Sequence, residues 1–189
     1  MIIGIDFDDV VTNTLDVWID WLNSKHNLSV EHNEINSWKL VDFFPTLTKA
    51  ELYEPLNTPE FWDEVSIKPG AKEVIGKLIE EGHQIYIITS SYYETLPYKF
   101  NRCLFKHFPN LTKENIIICY NKSLIKADML MDDGEHNLRN FSGIKIIFDM
   151  PHNQDCKSAD FRVLNWQEFY DVVSAIESIQ KIFSEDKHK

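Results

Sequence analysis

At 189 residues the chain has room for one core domain and a modest insertion. Its 43% apolar share, with five Trp, seven Tyr and twelve Phe, excludes wholesale disorder. The formal charge of −11 repels a nucleic acid polymer, yet leaves room for a small phosphate ester that meets local cations. Cys103, Cys119 and Cys156 are widely spaced and form no C-x-x-C pair. They read as free thiols in a reducing compartment rather than as a disulfide framework or a zinc site. The start, MIIGIDFDD, has no basic region, and no stretch approaches the ~20 apolar residues of a membrane span. The expectation is a soluble, cytoplasmic protein with no membrane partner.

Ile2–Phe7 is an apolar run too short for a helix that stops at acidic residues, as a buried parallel strand does. Similar runs follow at Gln84–Thr89, Asn115–Cys119, Met129–Met131 and Ile144–Phe148, with Val163-Leu164 a weaker strand. Between them, Pro69-Gly70 opens a helix whose stripe is Val74, Ile75, Leu78 and Ile79 and whose stop is Gly82. Tyr98–Phe108, closed by Pro109, and Trp166–Phe183 are further predicted helices, and Glu185–Lys189 reads as a frayed charged tail. Strands alternating with helices predict an α/β domain, a doubly wound parallel sheet. Residues 14–65 break this rhythm with a helix at Leu15–His26 and aromatic pieces punctuated by Pro45, Pro55 and Pro59. They read as a small helical cap inserted after the first strand, leaving 1–13 and 66–189 as the core.

Ligands of an open parallel sheet bind beyond the carboxyl ends of its strands. The residues that end the apolar runs are Asp6-Phe7-Asp8-Asp9, Thr89-Ser90-Ser91 and Asp132-Asp133, and Lys122 follows another run. Clustered carboxylates repel one another unless a cation sits among them, and Asp oxygens suit a hard ion such as Mg²⁺. An ion held by Asp6 and Asp132 would polarise a phosphoryl group, with Lys122 and Thr89 on its other oxygens. One Asp would then be free to attack phosphorus and another to handle the leaving-group proton. Taken alone, Asp9 or Asp133 reads as an ordinary helix N-cap.

In order, DFDDVV (Asp6–Val11), IITSS (Ile87–Ser91), NKS around Lys122 and ADMLMDDG (Ala127–Gly134) resemble the four motifs of the haloacid dehalogenase superfamily. The resemblance implies a Rossmann-like core and a Mg²⁺-dependent phosphatase working through an aspartyl-phosphate. It makes Asp6 the nucleophile and Asp8 the general acid and base. Thr89 and Ser90 would bind phosphate and Lys122 steady the phospho-aspartate. Asp6, the backbone carbonyl of Asp8 and Asp132 would hold the metal, with Asp133 supporting them.

The insertion after the first motif, PEFWDEVSIKPGAKEVIGKL (Pro59–Leu78), KHFPNL (Lys106–Leu111) and PHNQ (Pro151–Gln154) narrow the resemblance to the 5′(3′)-deoxyribonucleotidases. There the cap's aromatics receive the nucleobase, a part that would fall here to Phe61, Trp62, Phe43 or Trp18. That family carries a phosphate-reaching lysine in the helix before the Phe-Pro pair. Counting back from Phe108-Pro109, its place holds Phe100, with Lys99 one residue off and Arg102 two. One residue turns a helical side chain by about 100°, so Lys99, Arg102 or neither makes that contact. The expected substrate is a nucleoside or deoxynucleoside monophosphate, with a sugar phosphate or a non-catalytic binding role as the alternatives. A homodimer is left open.

Overall fold

The computed structural model describes residues 1–186. Its strands are β1 (Ile2–Ile5), β2 (Gln84–Thr89), β3 (Ile116–Ile118), β4 (Met129–Asp132), β5 (Ile144–Phe148) and β6 (Phe161–Val163). All neighbours pair in parallel in the order β3-β2-β1-β4-β5-β6, so the order reverses at β1, the sheet's switch point. This is the doubly wound sheet expected from the alternating pattern.

The residues that end the strands differ slightly from those predicted. β1 stops at Ile5 because the chain then turns, with Val11 and Thr12 N–H both bonding to the Phe7 carbonyl. The last strand ends at Val163 rather than Leu164, since the Leu164 N–H is taken by the Glu168 side chain at the approach to the final helix.

One sheet face is covered by α4 (Ala71–Glu80) and α8 (Trp166–Asp186). There Ile75, Leu78, Trp166 and Phe169 share a buried cluster with Ile3 and Ile5. On the other face Leu138 of the short α7 (Glu135–Leu138) and Phe141 bury Ile88, Leu130 and Ile147. α8 runs through Asp186, and the rest of the charged tail lies outside the described residues. Among the described residues no helix is long and apolar enough to cross a membrane.

Residues 14–65 hold α1 (Thr14–His26), α2 (Lys49–Tyr53) and α3 (Phe61–Glu64), joined by 3₁₀ turns. They gather their own apolar cluster from Ile19, Leu22, Ile35, Leu40, Phe44 and Leu52. The segment leaves and rejoins the rest of the chain at one pinch. Thr12 and Ile67 form an antiparallel bridge, Asn13 N–H bonds the Ser66 carbonyl at 3.1 Å, and Ser66 N–H bonds Asn13 Oδ1 at 2.8 Å.

The three cysteines are free, and only Cys103 is fully buried. Burial in the core pushes its thiol up to about 12. A thiol-disulfide exchange reagent is therefore expected to label Cys119 and Cys156 in the native protein and Cys103 only after denaturation. Fast labelling of all three would show that the Val65–Cys103 region opens readily.

Candidate active site

Parallel register carries the motif residues to one edge. Ile5 pairs with Met131, so Asp6 and Asp132 follow side by side at the carboxyl ends of β1 and β4. The Asp6 N–H continues this pairing, bonding the Met131 carbonyl at 2.9 Å. Lys122, in the turn after β3, reaches between them with its Nζ 2.5 Å from Asp6 Oδ1 and 2.6 Å from Asp132 Oδ2. Asp132 Oδ1 in turn accepts from Gly134 N–H at 2.8 Å and from Asn137 Nδ2 at 2.9 Å. Burial works against the Lys122 ammonium, yet Asp132 and Asp6 outweigh it and raise its pKa.

Burial also pushes Asp6 well above the ordinary carboxylate range, against the pull of Lys122, and neighbouring Asp132, Asp133 and Asp8 add to the rise. Asp133 is raised first by burial and then by Asp132. Asp9 is raised by burial and by Asp133. Its backbone sits in the left-handed region at φ 59°, which Asp tolerates better than most residues, and its Oδ1 accepts from Leu15 N–H at 2.8 Å. Asp9 therefore ties the turn after β1 to the start of α1.

Five carboxylates (Asp6, Asp8, Asp9, Asp132 and Asp133) thus share this edge with the ammoniums of Lys122 and Lys99. Oxygens of Asp6, Asp132 and Asp133 lie within 4.8 Å of one another. Opposite ligands of an octahedral Mg²⁺ stand about 4.2 Å apart, so hard donors at this spacing, with surplus negative charge, fit such an ion.

Asp8 turns the other way. One carboxylate oxygen accepts from Thr14 Oγ1 at 3.0 Å, and the other pairs with Lys99 Nζ. Lys99 is completely buried and also donates to Thr89 Oγ1 at 2.8 Å and to Ser91 Oγ. Its ammonium lies 5.0 Å from the Phe7 ring centre and 5.6 Å from that of Trp62.

A π turn brings Lys99 here. The helix from Leu96 to His107 is regular only at its ends, α5 (Leu96–Tyr98) and α6 (Phe105–His107). Lys99–Leu104 between them form a π turn in which Phe105 N–H bonds the Phe100 carbonyl five residues back. The extra residue offsets the one-residue shift counted from Phe108-Pro109, so Lys99 faces the site. Arg102 is directed elsewhere, to Asp63, with both side chains partly in solvent. Of the two basic residues weighed for this contact, only Lys99 reaches the site.

Above the carboxylates opens a cavity of about 360 Å³ lined from both parts of the chain. Asp6, Asp8, Ser90, Ser91 and Asp133 lie on its polar side, and Trp18, Trp38, Tyr53, Trp62, Tyr92 and Tyr120 supply aromatic surface. Thr89 is buried behind Ser91, and its hydroxyl lies 3.1 Å from Ser91 Oγ. The aromatics expected to face substrate separate. Phe61 does not line the cavity. It is fully buried and packs edge-on against Trp21 and Trp62 at 5.8 and 5.1 Å, because the pitch of α3 turns it to the core. Phe43 is likewise absent from the lining and packs with the insertion's own cluster. Trp62 borders the cavity but is 1% exposed, with its indole N–H bonded to the Leu56 carbonyl at 2.9 Å.

Phe61→Ala is accordingly expected to cost about 3–5 kcal/mol of stability in urea unfolding, the scale of a buried Phe deletion. A loss below about 1 kcal/mol with a raised KM would return Phe61 to the substrate.

Several residues here were not singled out as site residues from sequence. Thr14, Asn137 and His136 carry no short-range signal beyond polarity near a motif. His152 was visible only inside PHNQ, yet its Nε2 lies 2.9 Å from Asp133 Oδ2. Burial lowers the pKa of both His136 and His152.

Residues 1–180 match the family described as 5′ nucleotidase, deoxy (Pyrimidine), cytosolic type C protein. The chain is 31% identical over 169 residues to the 5′(3′)-deoxyribonucleotidase of Bacillus subtilis (strain 168), spanning 88% of this chain and 95% of that protein. To the 5′(3′)-deoxyribonucleotidase of Clostridium acetobutylicum it is 30% identical over 179 residues, 94% and 96% of the two chains. Among solved structures it resembles a haloacid dehalogenase family hydrolase from Deinococcus radiodurans R1 with bound phosphate and sodium. That likeness has a TM-score of 0.67 at 12% identity, over 92% of this chain and 95% of that one. A haloacid dehalogenase-like protein of unknown function from Agrobacterium tumefaciens gives a TM-score of 0.64 at 15% identity, over 93% and 98%. At such identities these two likenesses concern the fold alone. The parallel sheet, the carboxylate edge and the family match together make this chain a member of the cytosolic type C 5′ nucleotidase family, phosphoric monoester hydrolases, on a haloacid dehalogenase-like fold.

Proposed function

We propose that the protein is a Mg²⁺-dependent phosphomonoesterase acting on nucleoside or deoxynucleoside monophosphates, with 14–65 as a cap over a core of 1–13 and 66–189. The observation that carries this reading is the pair of ion-paired carboxylates at the cavity floor. Asp6 lies with Asp132 and Lys122, and Asp8 lies apart from them with Lys99. The relatives named as 5′(3′)-deoxyribonucleotidases support the nucleotide, and so does the aromatic lining, since a base can stack on any such face.

In this reading an Asp6 carboxylate oxygen attacks phosphorus as the bond to the ester oxygen breaks. Asp8, entering as the acid, gives its proton to the departing alkoxide. Asp8 as carboxylate then takes a proton from water, whose oxygen attacks the phospho-aspartate and frees Asp6 and inorganic phosphate. Lys99, with the hydroxyls of Thr89 and Ser91, and Ser90 beside them would meet the phosphoryl oxygens, and Lys122 would hold Asp6 in place. Asp6, Asp132 and the Asp8 carbonyl, with Asp133, would hold Mg²⁺, which when bound neutralises phosphoryl charge.

Chelation is expected to bring turnover to background and added Mg²⁺ to restore it; undiminished turnover in excess chelator would remove the metal from the reading. In a panel of phosphate esters with Mg²⁺, nucleoside monophosphates are expected to give the highest kcat/KM. Equal or better turnover of sugar phosphates would make the enzyme a phosphatase for another ester.

A further inference from the structure

Asp133 is gripped by an element that the chemistry above does not use. The turn after β5, Pro151–Asn153, holds it twice: His152 Nε2 meets the carboxylate at 2.9 Å, and Asn153 Nδ2 donates to the backbone carbonyl at 2.9 Å. Asn153 is itself fastened, because its Oδ1 accepts from Arg162 of β6 at 2.9 Å and its carbonyl from the same guanidinium at 2.9 Å. The His152 and Asp133 side chains are each only 2% exposed.

The outer side of His152 is covered from the insertion. Trp38, between two 3₁₀ turns of residues 14–65, sets its ring 4.3 Å from the His152 ring and 5.4 Å from that of His136. Trp38 is nevertheless 50% exposed. A half-exposed indole seated on a buried imidazole is a contact between the inserted segment and the carboxylate edge, made through a single intermediary. A His bonded to a ligating or supporting carboxylate fixes that carboxylate's rotamer, and loss of such a partner costs about 10–100-fold in metal affinity.

We propose that His152 is a positioning residue that orients Asp133, and that Trp38 holds His152 in that orientation when the inserted segment is seated, so cap seating and metal affinity are coupled. This rests on the metal reading of the site given above. The test is Mg²⁺ binding to the full chain by titration calorimetry, without substrate, alongside kcat and KM. His152→Leu, which keeps bulk but removes the donor, is expected to weaken Mg²⁺ binding about 10–100-fold. His152→Gln, which restores an N–H donor, is expected to recover most of that loss. Trp38→Ala is expected to weaken Mg²⁺ binding several-fold at unchanged overall fold by circular dichroism, and Trp38→Phe to leave it near wild type. Since Trp38 is half-exposed, its variant tests the coupling even where His152→Leu fails to fold. Wild-type Mg²⁺ affinity in Trp38→Ala, with only substrate KM altered, would overturn the coupling while leaving the metal site intact. Absence of Mg²⁺ binding by the wild-type chain would overturn the metal reading and the coupling with it.

Discussion

Asp6→Asn is expected to lower turnover by about 10⁴-fold or more while the protein stays folded, the scale of removing a covalent nucleophile. Asn matches Asp in volume but offers a neutral amide in place of the attacking oxygen. Stability should move the opposite way. Burial and the neighbouring carboxylates raise Asp6 well above its ordinary value. A group raised in the folded state contributes most stability below its unfolded pKa, about 3.9 for Asp, and loses it as pH rises through the folded value. The neutral Asn escapes that loss. In metal-free buffer the melting temperature of Asp6→Asn should therefore equal or exceed that of wild type at neutral pH, and the gap should widen with pH. The counterweight is Lys122, which keeps only Asp132 as a charged partner. Retained turnover would remove the covalent mechanism, and a gap that shrinks with rising pH would show that Lys122, rather than burial and carboxylate repulsion, governs Asp6.

Lys99→Met is the second large effect. It removes the ammonium shared by Asp8, Thr89 and Ser91 and leaves an apolar chain of similar length in a fully buried position. Loss of one preorganised donor of this kind costs about 10²–10³ in rate, so kcat/KM on a nucleoside monophosphate is expected to fall by that factor. The effect should appear in both kcat and KM, because Lys99 bonds Asp8 as well as the Thr89 and Ser91 hydroxyls proposed to meet the phosphoryl group. Arg102→Met is expected to change kcat/KM by less than about threefold, since its partner Asp63 is a surface pair. A large loss in Arg102→Met with none in Lys99→Met would reassign the phosphate contact and make the π turn irrelevant to catalysis.

The two basic residues also show where sequence reading stops. A helical count assumes one hydrogen-bond pattern throughout, and under it Phe100 takes the inward place. The π turn at Lys99–Leu104 adds a residue to the coil and moves Lys99 into that place. Hydrogen-bond register depends on what the helix packs against, and here it rests on α3, beside Trp62. The aromatics follow the same logic. Phe61 and Trp62 are adjacent in sequence and both buried in the core cluster, yet only Trp62 also borders the cavity. Trp38 and His152 belong to segments with no local relation, and only the return of the insertion across the sheet's edge brings their rings to 4.3 Å.

What the chain determined by itself was the alternation of buried strands with helices and the polar residue at each strand's end. A strand covered on both faces must be a short, continuous apolar run, and such a run ends visibly where the chemistry begins. Asp6, Thr89 and Asp132 were legible for that reason, and so was the sheet that aligns them. What only the tertiary structure decided was every choice among equivalent side chains: Lys99 over Arg102, Trp62 over Phe61 at the cavity, and the grip of His152 on Asp133. Those choices depend on long-range packing and on backbone register, and neither leaves a periodic trace in the residues themselves.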